Sequence, residues 1–157
     1  MSSKIIFAIL FLLLGCTSNA TDVQPSKLVS DFYSKYTSPT ERIKQFKKYN
    51  LDEQYELFEF GNRVVHPPAT YLDSPFAEQG SRVVPFLKTK LEATQDEAEI
   101  RDIALIYSEV ARTKLYDFSK DAELMKLLNQ KINSMHGIWK NTTLKFLSEI
   151  QSGKLAR

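Results

Sequence analysis

The chain has 157 residues, with 21 Lys or Arg against 19 Asp or Glu and a formal net charge of +2. Such a balance gives no electrostatic reason to bind nucleic acid, which calls for a basic surface, and no global pull towards anionic lipid. Ten Phe, seven Tyr and one Trp supply large core-filling groups, while five Gly and six Pro are too few for a turn-rich β fold, and one Cys rules out a disulfide within the chain.

The first element is apolar. Lys4 makes a short positive start, Ile5 to Leu14 contains no polar residue, and small Gly15 follows. A permanent membrane helix needs about 20 such residues, so the run has the proportions of a secretory signal core. From hydropathy alone it also fits an ordinary signal peptide or a buried N-terminal helix.

Leu13-Leu14-Gly15-Cys16 resembles the lipobox of bacterial lipoproteins. In that family a lipid is attached to the cysteine sulfur and a dedicated peptidase cuts just before it. The resemblance implies a signal peptide over 1–15, a lipidated N-terminus and tether over 16–24, and Cys16 as the lipidation site. Several acyl chains, at about 0.8 kcal/mol per buried methylene, hold a protein at a membrane far better than one. Thr17 is not Asp, which in enterobacteria-like sorting implies the outer membrane, facing the periplasm; the inference lapses in a Gram-positive host. Cleavage would leave 20 basic against 19 acidic side chains and no free thiol.

From Pro25 the spacing is helical. Leu28, Val29, Phe32, Tyr33 and Tyr36 share a face. Ser38-Pro39-Thr40-Glu41 predicts a capped helix start, with Ile43, Phe46 and Tyr49 as its stripe. Asp52 is the expected cap of a third helix carrying Tyr55, Phe58, Asn62 and Val65. Leu57 and Val64 flank that stripe, so this helix is expected to be central. His66-Pro67-Pro68 ends it, and 66–75 reads as the longest irregular stretch. Ser74-Pro75 opens a new helical region, Gly80-Ser81 interrupts it, and Pro85 marks a kink or a fresh first turn carrying Val84, Leu87 and Leu91. Thr94-Gln95-Asp96-Glu97 reads as a capping box before Ile100, Ile103, Ala104, Tyr107, Val110 and Ala111. Ser119 is the expected cap for Leu124, Leu127, Leu128, Ile132 and Met135. Gly137 marks a stop or bend, and Trp139, Thr143, Phe146, Leu147 and Ile150 continue the period. The expectation is one all-α domain over 25–152, six or seven antiparallel helices in a bundle or short αα superhelix, with 153–157 a frayed tail.

Residues 83–111 also resemble one HEAT-type repeat unit through Pro85, Leu87, Leu91, Asp96, Ile100, Arg101 and Ala104. The connection is about two residues longer than the common form, and no second clear copy occurs. A generic helical hairpin with Arg101 on the surface accounts for the same residues.

Motifs for catalysis are sparse. His66 and His136 lack any zinc-site spacing, so no metal site and no cofactor is expected. No phosphate loop or nucleophile elbow occurs, and no catalytic residue is named. Glu53, Glu56 and Glu59 lie along one helix side, where a carboxylate pair would need one member desolvated; helix-dipole and solvated-edge roles account for them better. Two candidate partner-binding groups remain. Lys44, Lys47 and Lys48 form a basic face suited to headgroups or an acidic partner, or else a solvated face. Tyr71, Leu72 and Phe76 in the irregular stretch make either an exposed partner surface or a lid tucked under the bundle. The functional expectation is a lipid-anchored envelope protein that binds another protein without catalysis, such as an immunity-type protein against a periplasmic toxin. An adaptor or inhibitor in an envelope machine and a hydrolase with dispersed carboxylates are the alternatives.

Overall fold

A computed structural model describes residues 24–153. The signal run, Cys16, the tether up to residue 23 and residues 154–157 lie outside the described residues. Eight α-helices follow in order: α1 (Lys27–Lys35), α2 (Pro39–Phe46), α3 (Leu51–Arg63), α4 (Asp73–Ala77), α5 (Val83–Ala93), α6 (Glu97–Arg112), α7 (Ala122–Ser134) and α8 (Lys140–Ser152). Among the described residues there is no strand, and no helix is long and apolar enough to cross a membrane. The fold is all-α, as the periodicity predicts. The count reaches eight because the helical region expected to open at Ser74-Pro75 is divided near Gly80 into the short α4 and the longer α5, and part of the stretch expected to be irregular forms a 3-10 turn (Thr70–Leu72).

Local chemistry starts the helices, in places two residues from the expected cap. Ser38 caps α2, its Oγ accepting from the Glu41 N–H, with Pro39 in the first turn. In α3 the cap is Asn50, not Asp52: Asn50 accepts from the Glu53 N–H while Glu53 accepts from the Asn50 N–H, a closed capping box. Asp96 caps α6, its Oδ1 taking the Ala98 N–H at 2.8 Å, and Thr94 in turn takes the Asp96 N–H. Asp121 replaces Ser119 as the cap of α7; Ser119 lies in a preceding 3-10 turn whose N-terminal residue, Asp117, bonds it.

The central helix is α6, not α3. Nine of its residues are buried, Ile100, Asp102, Ile103, Ala104, Ile106, Tyr107, Ser108, Val110 and Ala111, which takes in more than one side. Its largest contact is with α8, and α4, α5 and α7 also pack on it. By contrast α3 leans on α1 and the α4 region and leaves Val64, its C-terminal flank, 55% exposed. Gly61 makes the α1–α3 approach possible, since a Cβ there would sit 2.2 Å from Tyr33 Oη and 2.8 Å from Ala69 Cβ.

An aromatic cluster fills the middle. Phe76 lies 5.9 Å from Phe46, 5.5 Å from Phe58 and 6.4 Å from Tyr55, and Phe46, Phe58 and Phe76 are fully buried. Edge-on and tilted ring pairs of this kind add about 0.5–1.5 kcal/mol each beyond burial. Gly137 sits where α7 gives way to α8. The Glu97 carboxylate accepts the His136 and Gly137 N–H groups there, so α6 holds the corner from which α8 starts.

Candidate functional site

The expected partner surface in the 66–76 stretch is corrected by burial. Leu72 and Phe76 are fully buried, because the 3-10 turn and α4 direct them into the core. Tyr71 is half-buried, and its hydroxyl accepts from Arg42 Nη1 at 2.8 Å. Arg42 also donates to the carbonyls of Tyr36 and Tyr33 and lies over the Tyr33 ring. These residues form the tucked lid, clamped by an arginine. They are not an exposed anchor.

The lysine group is exposed but largely engaged. Lys47 pairs with Glu78 and Lys48 donates to Gln45. Since α2 ends at Phe46, both lie in the turn beyond it and the expected helical face is not continuous.

A different set of residues comes together where α3, α6 and α8 meet. A cleft of about 250 Å³ is lined by Asn62, Pro68, Thr70, Arg101, Asp102, Leu105, Trp139, Thr142 and Phe146. Four of these, Pro68, Leu105, Trp139 and Phe146, give apolar walls. Its polar side is built on α6. Asp102 is 1% exposed, and its Oδ1 accepts from Arg101 Nε at 2.9 Å and Nη2 at 2.5 Å. The Arg101 guanidinium lies 4.1 Å from the centre of the Trp139 ring, a cation–π stack that fixes both side chains at the rim. Arg101 is therefore neither a free surface residue nor a helix-packing residue alone.

Behind Asp102 stands a charged network. Arg63 of α3 pairs with Glu59 at 3.1 Å and Asp96 at 3.1 Å, and lies 3.6 Å from Asp102 Oδ2. That last distance is an ion pair beyond hydrogen-bonding reach. Tyr55 donates to Glu99, and Asn62 donates to Asp73 Oδ1 at a long 3.5 Å. Among the described residues no hydrogen-bond donor reaches Asp102 Oδ2 or Asn62 Oδ1, although both atoms are buried.

The protonation equilibria follow from these surroundings. Burial pushes the Asp73 carboxyl up to about 7, with Asn62 opposing and the Asp102 charge adding to the rise. Burial also raises Asp102 against the pull of Arg101 and Arg63. Glu59 rises through burial, opposed by Arg63 and helped by Glu99. For Arg63, burial pulls down but is outweighed by Glu59, Asp96 and Asp102, so it stays firmly charged.

Sequence reasoning did not single out this site. Asp102 falls between the apolar positions of α6 and reads there as a solvated acid; in the fold it is 1% exposed and faces Arg63 of α3. Trp139 was expected inside a helical stripe, yet it is the residue before α8 and 37% exposed. The one available signal was the sole Trp of the chain standing beside Ile138 in a glycine-marked break. Glu53 serves as a capping residue and Glu59 as an ion-pair partner. His66 and His136 are both exposed, and the described residues contain no group of three His, Cys, Asp or Glu placed to hold a metal.

Compared with known proteins, the chain matches no family model, no curated protein and no solved structure.

Proposed function

We propose that this chain is a lipid-anchored cell-envelope protein, held through Cys16, that acts by binding another protein at the α3–α6–α8 cleft. The observation that carries the binding part is the exposed Trp139, stacked on Arg101 at the rim of an apolar-walled cleft, with Ile138 83% exposed beside it. Trp and Arg in such a setting are the residues that most often dominate binding energy at protein interfaces. An ordinary surface leaves large apolar groups scattered. Here two of the five most exposed large hydrophobics are adjacent, and one lines a cleft.

The anchor part rests on the lipobox resemblance and gives the binding face its place. Within this reading the partner is a protein reaching the periplasm, and an immunity-type role, neutralising a delivered toxin, is the form that suits a small tethered domain.

Two measurements test the proposal. Mass spectrometry of the mature N-terminus should find acylated Cys16, and Cys16→Ser should move the protein out of the membrane fraction. Cross-linking in envelope extracts should capture a protein with the native chain and lose it with Trp139→Ala. Capture that ignores the Trp139 substitution would sink the cleft as the binding face.

A further inference from the structure

The cleft has a chemical preference that follows from its shape and charge. About 250 Å³ is below the roughly 300–1,000 Å³ of pockets for drug-sized ligands, so it fits one side chain. Pro68, Leu105, Trp139 and Phe146 wall it, which suits an aliphatic stem. At its polar side two acceptor atoms, Asp102 Oδ2 and Asn62 Oδ1, lack a hydrogen-bond donor among the described residues; Asp102 is 1% exposed and its Oδ2 has only the Arg63 guanidinium opposite it at 3.6 Å. A buried acceptor without a hydrogen bond costs about 1–3 kcal/mol, so a ligand bringing donors is favoured.

The charge of the surroundings decides which donors. Among the described residues, Arg63 and Arg101 are the arginines facing Glu59, Asp73, Asp96 and Asp102, while Glu99 and Glu109 add further negative charge. The neighbourhood carries a negative excess that repels an anion and attracts a cation. We propose that the cleft seats one cationic side chain of the bound protein, a lysine or arginine, whose head group donates to Asp102 Oδ2 and Asn62 Oδ1 while its stem lies along Trp139 and Phe146. Long cationic side chains bury their methylenes on apolar walls in this way, and charge-assisted hydrogen bonds are about twice as strong as neutral ones. Burial holds the carboxyls of Asp102, Glu59 and Asp73 above their usual range, and an arriving cation relieves that penalty.

This inference rests on the cleft being the protein-binding face, and its test separates the two. Trp139 is the only tryptophan of the chain, so its fluorescence reports on the cleft directly. The full chain is titrated with N-acetyl-arginine amide and, in parallel, with N-acetyl-citrulline amide, which has nearly the same shape and no charge. A single side chain of this size binds in about the millimolar range. The expected result is a saturable change with the arginine amide, at least tenfold weaker with the citrulline amide, and lost in Asp102→Asn. Should Asp102→Asn not fold, Asn62→Ala is expected to weaken the arginine amide while leaving the citrulline amide response in place. Equal responses to the two amides, or no saturable response to the arginine amide, overturn the proposal. A captured protein that depends on Trp139 but binds Asp102→Asn as tightly as the native chain overturns the cation site and leaves the binding face standing. Saturation by the arginine amide with no Trp139-dependent protein captured does the reverse.

Discussion

Two arginine-centred regions of this molecule look alike in composition and differ in balance. At the α1–α2 corner, Arg42 donates to the Tyr36 carbonyl, the Tyr33 carbonyl and the Tyr71 hydroxyl. Every one of those partners is neutral. At the α3–α6–α8 cleft, Arg63 and Arg101 sit among five carboxylates, and three buried acceptor oxygens, on Glu59, Asn62 and Asp102, have no hydrogen-bond donor among the described residues. The first region is arranged for stability alone. The second departs from that arrangement, and such departures concentrate where a protein does its work.

The sharpest way to break the comparison is to damage the stable region and watch the cleft. Phe76→Ala removes a fully buried ring from the centre of the aromatic cluster and should cost about 3–5 kcal/mol. Urea unfolding measures the loss, and the Trp139 emission of the folded fraction should stay unchanged.

Asp73→Asn acts on the other side. The folded carboxyl titrates near about 7 and the unfolded one near about 3.9, so between these values the folded state holds the extra proton. Stability therefore falls as pH rises from about 4 to about 7. Removing the charge should stabilise the protein at pH 8, by up to about 4 kcal/mol, and should change little near pH 4. Urea unfolding at both pH values checks the sign, and a destabilised variant at pH 8 would contradict it.

Arg42→Ala should cost about 1–3 kcal/mol, because it strips donors from three half-buried acceptors. Binding of the arginine amide should be untouched. Trp139→Ala should be the mildest, about 1–2 kcal/mol, since the ring is partly exposed and loses one cation–π contact. That small stability loss should accompany complete loss of partner capture, the opposite of Arg42→Ala. If the two variants behaved alike, the division between the regions would dissolve.

Much of the local structure was legible before any fold was known. The start at Ser38-Pro39, the break at His66-Pro67, the interruption at Gly80 and the bend near Gly137 all follow from backbone chemistry within a few residues. Where the expected caps slipped, at Asp52, Thr94 and Ser119, another capping residue stood two positions away. Asn50, Asp96 and Asp121 won because their side chains reach the free N–H groups of the first turn.

Tertiary packing settled the rest. The Tyr71–Phe76 stretch reads the same from sequence whether it faces solvent or the core; only the packing of this stretch against α2, α3 and α6 buries Leu72 and Phe76. Likewise Asp102 and Trp139 are an ordinary helix acid and an ordinary apolar residue until α3 brings Arg63 to the one and the α7–α8 corner sets the other on Arg101. By itself, the sequence determined the all-α class and most helix starts to within about two residues, because periodicity and capping act over three or four residues. Which acid is buried, which aromatic is left at the rim and where charge stays unbalanced were decided by contacts between residues about forty positions apart, such as Arg63 with Asp102 and Arg101 with Trp139. Burial and low local dielectric, which give those charges their strength, exist only once the helices are packed.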